Sequence, residues 1–183
     1  MTTVFLLLFG IPMLAAGIFA LAKPGTARAA LAAFPRSVPA GRLLCAAGWA
    51  FTAYELDNIG IEVFDRYLKA FPGELWILAA VLCVLMCMWM ENLLPIRGLA
   101  AIAMLFPAEV FFRIRLDPTA WRLCVVVLCY VCAVWGMFAM FYPWHARRMI
   151  AWLAQESAPA RIKAAGGILA AAGALFVLGA AFA

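Results

Sequence analysis

Charged side chains are scarce in this sequence: Asp, Glu, Lys and Arg make up 13% of its 183 residues, whereas hydrophobic residues make up 69%. A soluble domain of this length cannot bury so much apolar surface. Apolar segments of about 20 residues recur along the chain, and in lipid a helix satisfies its own backbone over such a length. Alternation of polar and apolar positions is weak, which argues against an outer-membrane barrel. The sequence therefore predicts an all-α, polytopic transmembrane helical bundle.

Histidine is almost absent, since His145 is the only one. This excludes haem ligation by two histidines of one chain, and it excludes histidine-rich zinc sites. No Ser/His/Asp, Cys/His or paired-carboxylate arrangement supports catalysis, so we predict a protein that is not an enzyme and has no cofactor. His145 lies beside Arg147 and Arg148 in a basic segment. We expect these three side chains to contact the phosphates of lipid headgroups.

The hydrophobic runs predict about six spans within a single integral membrane domain, 1–183. Their approximate bounds are 3–22, 38–57, 74–91, 97–113, 122–144 and 164–183. The connections 57–73 and 143–157 have apolar residues at helical spacing beside charged ones, which predicts short interfacial helices.

The distribution of positive charge predicts the orientation in a bacterial inner membrane. With the N-terminus outside, nine of the 14 Lys and Arg residues lie on the cytoplasmic side, as the positive-inside rule requires. These residues lie between hydrophobic runs, so the net charge of +5 does not indicate nucleic-acid binding. The first run also resembles a signal peptide, with a small-x-small site at 20–22. It lacks a basic region before it, which favours an uncleaved span.

One carboxylate, Glu109, lies inside the fourth predicted span. Arg113 follows it at i+4, the favourable order for an ion pair on a helix. Ionisable groups within a span are costly and often mark functional sites, so a proton, ion or ligand site is the alternative. Pro107 frees a backbone carbonyl nearby, which fits either interpretation.

Four other ionisable residues lie near predicted helix ends. Glu91 and Arg97 both oppose the dipole of their own helix, so we expect them to pair across the intervening turn or to meet a partner. Glu55 and Asp57 follow the second apolar run and lie near the membrane boundary. They are further candidates to face a polar cavity.

The third predicted span carries a stripe of sulfur. Its members share one helix face at i, i+3, i+4 and i+7, and they are Cys83, Met86, Cys87 and Met90. Thiolates and thioethers are soft ligands that favour Cu(I). Packing is the alternative, because Cys and Met are also common in apolar cores.

Small residues form a stripe on the last predicted span, at Gly166, Ala170 and Ala174. In lipid such a stripe lets a second helix approach closely. That helix belongs either to this chain or to a second copy or partner subunit.

Three segments of the chain, AFPRSVPAGRLL, ENLLPIRGLAAIAMLFP and MFYPWHARRM, resemble a family of small multi-spanning bacterial inner-membrane proteins. The resemblance implies a bacterial inner membrane and six helices, and it transfers no functional residue. From the residues we predict a non-enzymatic membrane subunit or scaffold. The alternative is a small transporter or channel that uses Glu109, with a Cu(I) site on the sulfur stripe as a variant.

Overall fold

The computed structural model describes residues 1–58, 73–89, 93–156 and 159–183. These residues form eight α-helices and one short 3₁₀ turn, and no strand occurs among them. The helices are α1 (Thr2–Ala22), α2 (Pro24–Ala33), α3 (Val38–Asn58), α4 (Glu74–Trp89), α5 (Leu94–Ile114), α6 (Arg122–Phe141), α7 (Pro143–Leu153) and α8 (Pro159–Phe182). The all-α class is therefore confirmed over the described residues.

Four of these helices, α1, α5, α6 and α8, are long and apolar enough to cross a membrane. The shortest of them has 20 residues, which is about 30 Å at 1.5 Å per residue. The other two predicted spans are also helical. However, α3 carries charge at Arg42, Glu55 and Asp57, and α4 comprises 16 of the described residues. Six crossings therefore stay a prediction, and within the described residues four helices have the necessary length and composition.

Prolines shift three helix boundaries from their predicted positions. The fourth span, predicted to begin at 97, begins at Leu94 with Pro95 in its first turn. The last, predicted to begin at 164, begins at Pro159. Proline suits a first turn because its missing N–H would have no partner there. The fifth span was predicted to end at 144. Its helix, α6, ends at Phe141, because Pro143 occupies the first turn of the next helix, α7.

One of the two predicted interfacial helices is described. The segment 143–157 contains α7, whose exposed residues include Trp144 and Trp152. The segment 57–73 falls almost entirely on residues 59–72, which lie outside the described residues. A further short helix, α2, follows the first span.

The described residues divide into two compact units. Unit 1 consists of Met1–Ala33, Phe106–Cys132 and Arg147–Ala183, and unit 2 consists of Phe34–Leu105 and Ala133–Ala146. In unit 1, glycines let the backbones of α1 and α8 meet. A Cβ added at Gly17 would lie 2.4 Å from the backbone N of Ala170, and one at Gly173 would lie 2.3 Å from the backbone N of Leu14. No larger side chain fits there unless a helix moves.

In unit 1, residues of α1, α5, α6 and α8 form a small apolar core. Leu6, Val110 and Val125 are completely buried in it. Phe9 and Phe106 meet edge to face, with ring centroids 5.7 Å apart. This arrangement of rings adds to the stabilisation that burial provides.

Asp117, in the connection after α5, caps the start of α1. Its Oδ2 accepts the backbone N–H of Thr2 at 3.0 Å, and its Oδ1 accepts the hydroxyl of Thr119 at 2.6 Å. Hydrogen bonds from Thr119 and from Thr2 stabilise the charged carboxylate. They hold the pKa of Asp117 well below its usual range.

Unit 2 also depends on close helix contacts at glycines. A Cβ added at Gly98 of α5 would lie 2.8 Å from the backbone N of Cys45 in α3. A Cβ at Gly136 of α6 would lie 2.8 Å from the backbone N of Met104 in α5. These two contacts position the side chains of the candidate site.

Candidate metal centre

The first thiol of the centre, Cys45, comes from the small-residue face of α3. Gly41, Cys45 and Gly48 share this face at i, i+4 and i+7, and all three are buried. Small side chains let α5 approach here, with Gly98 against the backbone of Cys45. Cys45 is consequently only 4% exposed. Its position is set by backbone packing on two helices.

The other two thiols come from α4. Cys83 and Cys87 are one turn apart, half-buried, and on the face that meets α3. The three Sγ atoms of Cys45, Cys83 and Cys87 all lie within 4.8 Å of one another. We call this group the thiol cluster. The stripe predicted on α4 thus supplies two of its members, and a third comes from a helix that the stripe did not include.

Met86 lies between the two cysteines of α4 and is held by a residue of α3. The indole Nε1 of Trp49 donates a hydrogen bond to the Sδ of Met86 at 3.3 Å. This bond fixes the thioether beside the α3–α4 contact. A thioether is a weak hydrogen-bond acceptor and also a soft metal ligand.

A cavity of about 230 Å³ adjoins the cluster, because Cys45 is one of its lining residues. Its lining is almost entirely apolar and contains four sulfur-bearing side chains: Cys45, Met86, Met104 and Met140. Trp49 and Arg97 line it as well. The cavity lies wholly within unit 2.

Three converging thiols are suited to a soft metal ion. Thiolates select Cu(I), zinc and iron–sulfur clusters among biological metals. Structural zinc takes four ligands, usually Cys or His, and iron–sulfur clusters are normally held by four cysteines. Cu(I) accepts a trigonal set of thiolates, so it fits three. Arg97 is among the residues that line the adjoining cavity.

The other residues predicted as metal ligands or as charged site residues are not members of the thiol cluster. Met90 and Glu91 lie outside the described residues, so the stripe is described without its last member and the Glu91–Arg97 pair stays a prediction. Arg97 lies in the first turn of α5 and lines the cavity. Glu55 is half-buried near the end of α3, and Asp57 is exposed.

Glu109 and Arg113 form an ion pair in α5. Both Nε and Nη2 of Arg113 contact Oε1 of Glu109. The side chains are 21% and 48% exposed, respectively, so the pair lies at the surface of the described structure. This geometry supports the structural interpretation of Glu109.

The three predicted headgroup residues lie on α7, where all are exposed. The ring of His145 contacts the rings of Tyr142 and Trp144, with centroids 5.9 and 5.6 Å apart. Arg147 and Arg148 follow on the same helix beside exposed apolar residues. Such a helix suits the surface of a membrane, and lipid contact by these residues stays a prediction.

The small-residue stripe on α8 packs within the chain. A Cβ added at Gly166 would lie 2.9 Å from the Cβ of Ala20, and Ala170 lies against Gly17. The buried face then continues through Gly173, whereas Ala174 is only half-buried. Gly166 and Ala170 are therefore covered by α1.

No protein-family model, curated protein or solved structure matches the chain. The resemblance to small multi-spanning bacterial membrane proteins therefore stays a prediction. The candidate metal centre is supported by the convergence of its three thiols. Its member Cys45 was missed in the sequence because it is the only sulfur residue on α3. The Gly41, Cys45, Gly48 spacing was the available signal, since it predicts close helix packing at that cysteine.

Proposed function

We propose that this chain is a multi-pass membrane protein that binds Cu(I) through the thiolates of Cys45, Cys83 and Cys87. One observation carries the proposal: three thiols from two separate helices converge within 4.8 Å. Cys83 and Cys87 lie close together because they are four residues apart on one helix. The third requires the tertiary contact between α3 and α4, so the cluster is a property of the fold.

The surroundings of the cluster support a metal site over simple packing. The thioether of Met86 is oriented by Trp49 at the same helix contact. The cavity that Cys45 lines is also lined by the thioethers of Met86, Met104 and Met140, which add soft donors beside the cluster. Packing alone requires neither feature.

The proposal also includes a bacterial inner membrane, an N-terminus outside and about six crossings. Four apolar helices support an integral membrane protein. The excess of Lys and Arg in alternate loops supports a bacterial inner membrane with the N-terminus outside. Further crossings by α3 and α4 would place the thiol cluster within the membrane.

Anaerobic loading with Cu(I) tests the proposal. Purified protein in detergent is reduced, incubated with Cu(I) and desalted in the presence of a competing chelator, and retained copper is then measured by mass spectrometry. We expect a single retained copper ion per chain. Cys45→Ser, Cys83→Ser and Cys87→Ser should each weaken binding by more than the roughly 10–100-fold that removal of an outer-shell partner costs.

Two other thiols provide matched controls. Cys124 packs against the core of unit 1, and Cys132 is half-buried in the same unit. Cys124→Ser and Cys132→Ser should retain copper as the unmodified protein does. Equal copper retention in all five variants would contradict the proposal, and so would an unmodified protein that retains none.

The non-enzymatic subunit or scaffold predicted from the sequence remains a second candidate. Its proposed contact face on α8 packs on α1 within the chain, so the face supports the fold of unit 1. Native mass spectrometry of protein extracted gently from its membrane tests this role. A second polypeptide in the observed mass would favour it, and the 19.9 kDa chain alone would not.

A further inference from the structure

We propose that the sulfur-lined cavity of unit 2 is the entry site through which Cu(I) reaches the thiol cluster. The proposal rests on the metal-binding function given above. It adds a second, weaker site of thioethers, formed by Met86, Met104 and Met140, from which the ion passes to Cys45.

The sulfur-bearing side chains of the cavity differ in their exposure. Met104 and Met140 are 37% and 36% exposed, whereas Cys45 is 4% exposed. All three side chains line the same cavity. An ion that enters through this cavity therefore meets the more exposed methionine side chains before it meets the buried thiol of Cys45.

The strength of the sulfur ligands increases in the same direction, from the methionines to Cys45. A thioether is neutral and binds Cu(I) weakly, whereas a thiolate carries charge and binds it strongly. Transfer from thioether to thiolate is therefore favourable. No redox step is involved: a sulfur–copper bond to methionine breaks as one to cysteine forms, and the thiol proton leaves to solvent or buffer.

The position of Met86 provides continuity between the two sites. This residue lines the cavity and also lies between Cys83 and Cys87 on α4. Trp49 holds its Sδ through the 3.3 Å hydrogen bond. The indole ring lines the cavity, and an aromatic face attracts a passing cation.

The cavity has room for the ion together with a ligand that accompanies it. A volume of about 230 Å³ is several times the roughly 30 Å³ that one water molecule occupies. An ion delivered as a complex can thus exchange its ligands one at a time inside the cavity. Thr52 is the one lining residue with a side-chain oxygen, and its hydroxyl donates a hydrogen bond to the backbone carbonyl of Gly48 at 2.8 Å.

The test compares the rate of metal uptake in matched methionine variants. Reduced protein is mixed anaerobically with the coloured Cu(I)–bicinchoninate complex in a stopped-flow instrument, and the loss of colour is followed. Met104→Leu combined with Met140→Leu conserves side-chain volume, which limits effects on folding. We expect unchanged copper stoichiometry and uptake about tenfold slower, which corresponds to about 1.4 kcal/mol in the barrier.

Two methionines of unit 2 outside the cavity lining serve as the control. Met88 and Met137 are 68% and 44% exposed. Met88→Leu combined with Met137→Leu should take up copper at the unmodified rate. The entry site is contradicted if the Met104, Met140 variant also loads at that rate with full stoichiometry. Absence of uptake by the unmodified protein overturns the copper function itself, so the two failures are distinguishable.

A second measurement does not depend on the thiols. In protein that carries Cys45→Ser, Cys83→Ser and Cys87→Ser together, methionine methyl groups labelled with ¹³C are titrated with Ag(I), a spectroscopically silent substitute for Cu(I). We expect the methyl signals of Met86, Met104 and Met140 to shift, and those of Met88 and Met137 to stay. Unchanged cavity methionines would overturn the thioether site.

Discussion

The indole N–H of Trp49 donates a hydrogen bond to the sulfur of Met86, 3.3 Å away, and thereby links α3 to α4 beside the thiol cluster. Both side chains also line the cavity of unit 2. A metal ion bound at the sulfur of Met86 or at the thiol cluster would lie near the indole of Trp49. Its binding should therefore alter the fluorescence of this tryptophan.

Trp49→Phe tests this relationship directly. The unmodified protein should change its tryptophan emission when Ag(I) is added, and the variant should lose most of that change. Trp76→Phe is the matched control, because Trp76 is an exposed residue of α4 that does not line the cavity. An undiminished response in the Trp49 variant would show that the metal binds elsewhere.

The packing of α1 on α8 predicts opposite effects at two neighbouring glycines. A Cβ at Gly173 would lie 2.3 Å from the backbone of Leu14, whereas one at Gly167 meets nothing within 4 Å. Gly173→Ala should therefore destabilise the protein by about 1–3 kcal/mol through overpacking. Gly167→Ala should stabilise it by up to about 1 kcal/mol, because alanine favours the helix.

Unfolding of both glycine variants in mixed micelles provides the measurement. The difference between the two is the informative quantity, since both substitutions add the same methyl group to the same helix. Equal stability of the two variants would contradict the close contact of α1 with α8.

The Glu109–Arg113 pair should contribute little to stability. The two side chains are one turn apart on α5 and are partly exposed, with Arg113 at 48%. Exposed pairs at this spacing contribute about 0.3–0.5 kcal/mol. A double-mutant cycle with Glu109→Gln and Arg113→Gln should give a coupling energy of that size and leave copper binding intact. If Glu109 were a transport carboxylate, the single Glu109→Gln variant would instead lose transport activity.

Acid should weaken the cap that Asp117 places on α1. The hydrogen bonds from Thr119 and Thr2 lower the pKa of Asp117 in the folded protein. The carboxylate therefore stabilises the fold above the unfolded value of about 3.9, and this contribution is lost as the pH falls below it. Thermal unfolding should show a difference between Asp117→Asn and the unmodified protein at pH 6 that shrinks in acid.

Asp57→Asn is the control for the acid experiment, because Asp57 is an exposed carboxylate at the end of α3. Its substitution should leave the pH dependence of unfolding unchanged. If Asp117→Asn behaves in the same way, the capping role of Asp117 is wrong.

Helix periodicity predicted the part of the candidate metal centre that lies on one helix. Cys83, Met86 and Cys87 share a face of α4 because an α-helix repeats every 3.6 residues. Cys45 lies 38 residues before Cys83 on another helix. Its proximity depends on tertiary packing, which periodicity does not encode. The flanking Gly41 and Gly48 mark where α3 can be approached, but they do not identify the approaching helix.

Hydrophobicity located the helices more reliably than it located their ends. Apolar runs predicted a helix at every span, yet α5 and α8 begin before their apolar runs. Each has a proline, Pro95 or Pro159, in its first turn. On α8 the stripe of small residues was predicted through Ala174. The buried face runs instead through Gly173. Residues three and four positions apart share a helix face, so the face that contains Gly166 and Ala170 continues at Gly173.

X-ray absorption at the copper edge tests the central claim most directly, because it counts the sulfur atoms bound to the metal. In the unmodified protein loaded with Cu(I), we predict a single shell of three sulfur ligands. In the Cys45→Ser variant, we predict a smaller number of sulfur atoms or no bound copper. An identical shell in both proteins, or a shell of nitrogen and oxygen atoms, would contradict a metal centre formed by Cys45, Cys83 and Cys87.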